Sequence, residues 1–112
     1  MAANFRIEVK SNRFPEIMRK YPSLLDKVIR KTTFDVTAEA QNRAPVDTGN
    51  LVMSIQPKKL GEFSWQVSTG VDYAAFVEFG TVKMRAQPYF VPAIEFVKPS
   101  YVMAVTQMLR SL

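Results

Sequence analysis

A chain of 112 residues, 47% hydrophobic, with fifteen Lys and Arg against ten Asp and Glu, is the size of one domain, residues 1–112, that buries roughly two thirds of its unfolded surface. Cysteine and histidine are both absent. Their absence excludes disulfide frameworks, thiolate and imidazole metal sites, Ser/His/Asp triads and imidazole acid–base chemistry. The net charge of +5 permits contact with a polyanion, but the basic residues are scattered among acids and follow no nucleic-acid-reading motif. MAANFRIEVK has none of the regions of a signal peptide and no apolar run is long enough to cross a bilayer, so a soluble, cytoplasmically made protein with no membrane partner is expected.

Along the chain, Phe5, Ile7 and Val9 alternate with Arg6 and Glu8, the pattern of a short half-buried strand. A helical segment begins near Phe14 and Pro15, and Pro22 restarts the register. Leu24, Leu25, Val28, Ile29, Thr32, Val36 and Ala40 then form one stripe at helical spacing, which predicts the principal helix from Pro22 to Arg43 packed on a sheet. Phe34 lies about 200° from Thr32 on that helix, off the predicted stripe. It is covered either by a partner or by another segment of the chain.

The helix must stop by Ala44, before Pro45. Pro45, Asp47, Thr48 and Gly49 then read as a specified turn, with Thr48 a candidate cap for a short helical turn carrying Leu51, Val52 and Ile55. Two strands, Ser54 to Leu60 and Phe63 to Thr69, are expected to form a hairpin around Gly61 and Glu62. Pro57 points to an edge position and Lys58 and Lys59 to a solvated tip. Asp72 is placed to cap a helix from Tyr73 to Phe79, ended by Gly80, with Tyr73, Phe76, Val77 and Phe79 mostly in the core. A polar, basic loop follows from Thr81 to Gln87. After Pro88, Tyr89 to Val91 is a short strand or an extended entry to a C-terminal helix that starts near Pro92 and is kinked or interrupted at Pro99. Its apolar face comprises Ala93, Ile94, Phe96, Val97, Tyr101, Val102, Val105, Met108 and Leu109.

The acid–base chemistry left to such a chain would need Asp47, Asp72 or Glu78. The first two sit where turns and caps want a side-chain acceptor, so a structural role is preferred. No phosphate loop, EF-hand or dinucleotide fingerprint occurs among the four glycines, and no catalytic residue, metal or cofactor is expected.

APVDTGNLVMSI, VDYAAFVEFGT and MRAQPYFVPAI, in that order, resemble the tail-completion, or head-to-tail joining, proteins of long-tailed bacteriophages and their prophages. The similarity spans roughly residues 22 to 97. It implies an α+β fold, a long helix packed on a small antiparallel sheet with a C-terminal helix. It also implies a non-enzymatic virion protein, assembled in the host bacterial cytoplasm as a ring of identical subunits between capsid connector and tail. Connector and tail proteins, and DNA in the channel, are the implied partners.

Eight aromatic Phe, six Met and the off-stripe Phe34 leave apolar surface for such neighbours. Phe34, Glu78, Phe79, Gly80, Thr81, Lys83, Met84 and Arg85 are the candidate assembly residues. A non-specific DNA-binding module is the alternative, and it predicts duplex binding with a steep salt dependence.

Overall fold

Two prolines bracket the longest helix. In the computed structural model, which describes residues 3–8, 14–45 and 49–112, helix α1 (Phe14–Lys20) leads into α2 (Pro22–Arg43). Pro22 takes a first-turn position, where its missing amide costs nothing, and Ala44 is driven into an extended conformation by Pro45. The α2 boundaries are those predicted.

Its buried line keeps Leu25, Ile29, Val36 and Ala40 of the predicted stripe and adds Thr33 and Thr37, whereas Leu24 is exposed and Val28 and Thr32 are half-buried. Two steps of four from Leu25 lead through Ile29 to Thr33, not to Thr32. The Thr33 and Thr37 hydroxyls donate to the carbonyls of Ile29 and Thr33, each at 2.8 Å, so both polar groups enter the core satisfied.

Strand β1 (Ala3–Glu8) and strand β2 (Gln56–Gly61) flank β3 (Ser64–Thr69) in an antiparallel sheet of order β1-β3-β2. Trp65, Val67 and Thr69 on β3 are buried against the helices, and Ser64, Gln66 and Ser68 alternate with them. Val9, the last residue of the predicted first strand, lies outside the described residues. Pro57 is on an edge strand, where it interrupts no central ladder.

The hairpin is displaced from its predicted limits. Ser54 belongs to α3 (Asn50–Ser54), where its hydroxyl donates to the Leu51 carbonyl at 2.7 Å and also meets Thr69 Oγ1. A bulge between Lys59 and Gly61 shifts the turn onto Glu62 and Phe63, and Phe63 adopts a φ of 60°. Lys59 is not simply solvated, since its Nζ lies 3.4 Å from Asp26 Oδ2 and 6.0 Å from the Trp65 ring centroid.

Helix α4 (Ala74–Phe79) precedes α5 (Phe90–Arg110), which runs through Pro99 without interruption. Pro99 is on the exposed side, where water can take the carbonyl left without an amide partner. Tyr89 is the residue before α5 and forms no strand. Helices α2 and α5 are antiparallel: Lys20 Nζ at the end of α1 and Tyr21 Oη just before α2 donate to the Ser111 carbonyl past the end of α5, at 3.1 and 3.3 Å. Two apolar clusters result. One joins Val36, Ala40, Leu51, Val67, Tyr89 and Phe90, and the other joins Ile17, Leu25, Ile29, Trp65, Val105 and Met108.

Candidate functional site

Helix α4 is folded with its charge inside and its rings outside. Ala74 and Glu78, one helical turn apart, face the core, and Glu78 is only 4% exposed. Tyr73, Phe76 and Phe79 are 41%, 47% and 72% exposed. This reverses the expectation that the aromatics fill the core. The cause is a demand made by α5, whose leading sequence Gln87-Pro88-Tyr89 offers no Ser, Thr, Asp or Asn to accept its first amides.

Glu78 supplies that acceptor from a distance. Tyr89 and Phe90 donate their backbone N–H groups to Glu78 Oε1 at 2.9 and 2.8 Å, and Val91 donates to Oε2 at 3.2 Å. A carboxylate buried without donors would cost several kcal/mol, whereas amides at the positive end of a helix dipole are suited to it. The aromatic rings follow from this choice. At about 100° per residue, a short helix that turns residues 74 and 78 inward must turn 73, 76 and 79 toward its flanks and solvent.

Gly80 and the segment after it form a built turn. Gly80 caps α4 with φ 76° and ψ 177°, a conformation essentially confined to glycine. A Cβ placed there would lie 2.8 Å from the Ala86 amide nitrogen and 3.0 Å from the Met84 carbonyl oxygen. Gly80→Ala is accordingly expected to lower the unfolding free energy by about 2 kcal/mol, through backbone strain and displacement of residues 84–86. Urea denaturation would measure it, and a loss under about 0.5 kcal/mol would mean that the turn relaxes freely.

Thr81 and Met84 exchange backbone hydrogen bonds at 2.8 and 3.3 Å, while Thr81 Oγ1 accepts from the Lys83 and Met84 amides. The Gln87 amide then donates to the Val77 carbonyl at 2.8 Å, which ties the end of the segment back to α4. An apolar cleft of about 390 Å³ opens between this turn and α3, lined by Pro45, Leu51, Phe76, Val77 and Met84 among others.

The Tyr89 ring is fully buried, and its hydroxyl donates to the Ala74 carbonyl at 3.3 Å. Burial, reinforced by the nearby Glu78 carboxylate and Tyr73, pushes its pKa up to about 12. The folded protein therefore favours the neutral phenol. Stability from this group is fully present below the unfolded pKa near 10 and is lost as pH rises toward 12. Unfolding free energies taken from pH 9 to pH 12 are expected to fall by on the order of 2 kcal/mol more in the wild type than in Tyr89→Phe. Parallel curves would refute the assignment.

Glu78, Phe79, Gly80, Thr81, Lys83, Met84 and Arg85 are the end of α4 and the turn that follows it, with Pro45 across the cleft. Phe34 is not among them. Its ring stands edge-on to Trp65 at 5.9 Å under the Arg30 guanidinium at 4.8 Å, beside the other apolar cluster. Of the predicted turn, Asp47 and Thr48 lie outside the described residues, and Gly49 adopts a φ of 78°. Gly49 is the residue before α3 and Tyr73 the residue before α4, and neither supplies a side-chain cap of its own. Tyr73 and Phe76 were expected mostly in the core, whereas Val82 lies exposed in the loop expected from Thr81 to Gln87. The legible signal was a helix start after Pro88 with no capping residue of its own.

Among the described residues, no group of three or more acidic side chains is placed to hold a metal, and no helix is long and apolar enough to cross a membrane. A family model described as "Bacteriophage HK97-gp10, putative tail-component" matches residues 11–80, well over half the chain. The chain belongs to this phage tail-component family. A tail component is a structural part of the virion that works in contact with other tail proteins. The comparisons with curated proteins and with solved structures returned no match. The match covers the helix α2, the hairpin and α4, while MRAQPYFVPAI lies beyond it.

Proposed function

We propose that this tail component is a structural assembly protein at the junction of capsid connector and tail, acting in tail completion or head-to-tail joining as a ring of identical subunits. The outward aromatic face of α4, held by the buried Glu78 beside the Thr81–Arg85 turn, carries the reading. An exposed apolar patch fixed to a buried polar anchor is a surface prepared for a partner, because a free surface gains nothing from presenting three rings to water. Head-to-tail contacts between copies close into a ring when the rotation between subunits permits. The chain acts as one domain over residues 1–112, since α2 and α5 run through both apolar clusters. Assembly takes place in the host cytoplasm.

The candidate interface comprises Phe79, Gly80, Thr81, Lys83, Met84 and Arg85, with Glu78 acting from beneath and Phe34 at a second, separate point. Native mass spectrometry and negative-stain microscopy of the purified protein are expected to show rings. A chain that stays monomeric at high concentration and binds neither connector nor tail proteins would overturn the proposal.

Contact with DNA in the channel is the second reading. It is favoured by Lys58, Lys98 and Arg110, which have no carboxylate at ion-pair distance among the described residues. It predicts duplex binding that weakens steeply with salt and shows no sequence preference.

A further inference from the structure

We propose that the basic turn at Val82–Arg85 of one copy seats in the acid-rimmed groove between α2 and α5 of the next copy. The inference rests on the ring reading above and names the contact that closes it. Val82 is fully exposed and Met84 partly so, alternating with exposed Lys83 and Arg85. Neither cation has a carboxylate within ion-pair distance among the described residues. The turn's own hydrogen bonds hold it in shape, so docking orders little that is not already ordered.

The groove has the opposite character. It is a depression of about 260 Å³ whose walls include Asp35, Ala38, Glu39, Phe96 and Ser100. Phe96 is 63% exposed, with the Arg43 guanidinium 5.5 Å from its ring centroid. Asp35 and Glu39 pair within α2 to Lys31 at 2.6 Å and to Arg43 at 3.3 Å. Such exposed pairs one turn apart are worth only a few tenths of a kcal/mol, so both carboxylates can turn to an incoming cation at little cost.

Two cations flanked by two apolar side chains thus face two anions flanking an exposed ring. The chain itself carries a segment whose cations and apolar side chains match the Asp35 and Glu39 carboxylates and the Phe96 ring. One copy offers the turn beside α3 and the groove on α2 and α5, so the contact is head-to-tail.

A charge-swap experiment on the full chain tests this. Lys83→Glu with Arg85→Glu makes both surfaces acidic, and Asp35→Lys with Glu39→Lys makes both basic. Each variant alone is expected to be monomeric by native mass spectrometry at concentrations where the wild type assembles. An equimolar mixture is expected to recover assemblies larger than a monomer that hold both variants, joined in alternation.

Assembly by either variant alone, or no recovery on mixing, overturns the contact while leaving the ring standing. A monomeric wild type overturns the ring and the contact with it, and a closed dimer keeps the contact but removes the ring. A second measurement serves if a charge variant fails to fold. Because the chain has no cysteine, Val82→Cys combined with Ser100→Cys is expected to give a ladder of disulfide-linked multimers on oxidation. A product cross-linked only within single chains, or none, overturns the contact.

Discussion

Replacing Glu78 by Ala is expected to lower the unfolding free energy by about 3 kcal/mol or more, and the melting temperature by roughly 12 °C or more. The Tyr89 and Phe90 amides lie at buried residues and have their partner on Glu78, as does the Val91 amide at the edge of the core. Leaving a buried donor unpaired costs about 1–3 kcal/mol each, and the void left by the side chain adds to it. Against a typical total of about 5–15 kcal/mol, this is a large share.

Glu78→Gln separates the contributions. It retains one carbonyl oxygen but replaces the other with an amide group that cannot accept, so its loss should fall between those of Ala and wild type. Thermal and urea denaturation followed by circular dichroism would decide. An Ala variant within about 1 kcal/mol of wild type would mean that water caps α5 as well as the carboxylate does.

The double substitution Phe76→Asp and Phe79→Asp is expected to act oppositely, leaving the fold intact and removing the assembly. Both rings are about half or more exposed, and substitutions at such positions usually change stability by no more than about 0.5 kcal/mol each. An aromatic anchor at an interface is worth about 2 kcal/mol or more, so self-association should weaken roughly 30-fold or beyond. Analytical ultracentrifugation beside a melting curve reads both quantities. A collapsed melting temperature would place the rings in the chain's own core, and an unchanged sedimentation coefficient would remove α4 from the interface.

The order of these two effects along α4 has a physical basis. Glu78 stabilises the fold because it is inside, and Phe76 and Phe79 are available to partners because Glu78 took the inward face. A hydrophobic count of the segment assigns the reverse, since burial of rings is the usual outcome and burial of a carboxylate the exception. The exception holds because α5 starts without a local cap. Pro99 offers a similar lesson: its ring removes one helical hydrogen bond, yet α5 continues because long packing against α2 outweighs that loss on an exposed face.

What lay open in the order of residues was local. The prolines at 22 and 45 set the limits of α2, the alternation from Trp65 to Val67 and Thr69 marked β3, and Gly80 marked the end of α4, because each acts through its own backbone or its immediate neighbours. Which polar residues join the buried face of α2, where the hairpin turns, and which side of α4 meets water were settled only by tertiary structure. Thr33 and Thr37 reach the core by bonding to carbonyls one turn back, the bulge after Lys59 moves the turn by one residue, and Glu78 is drawn inward by amides eleven to thirteen residues further along the chain. Partners that distant meet only after folding, and no window of neighbouring residues carries their effect.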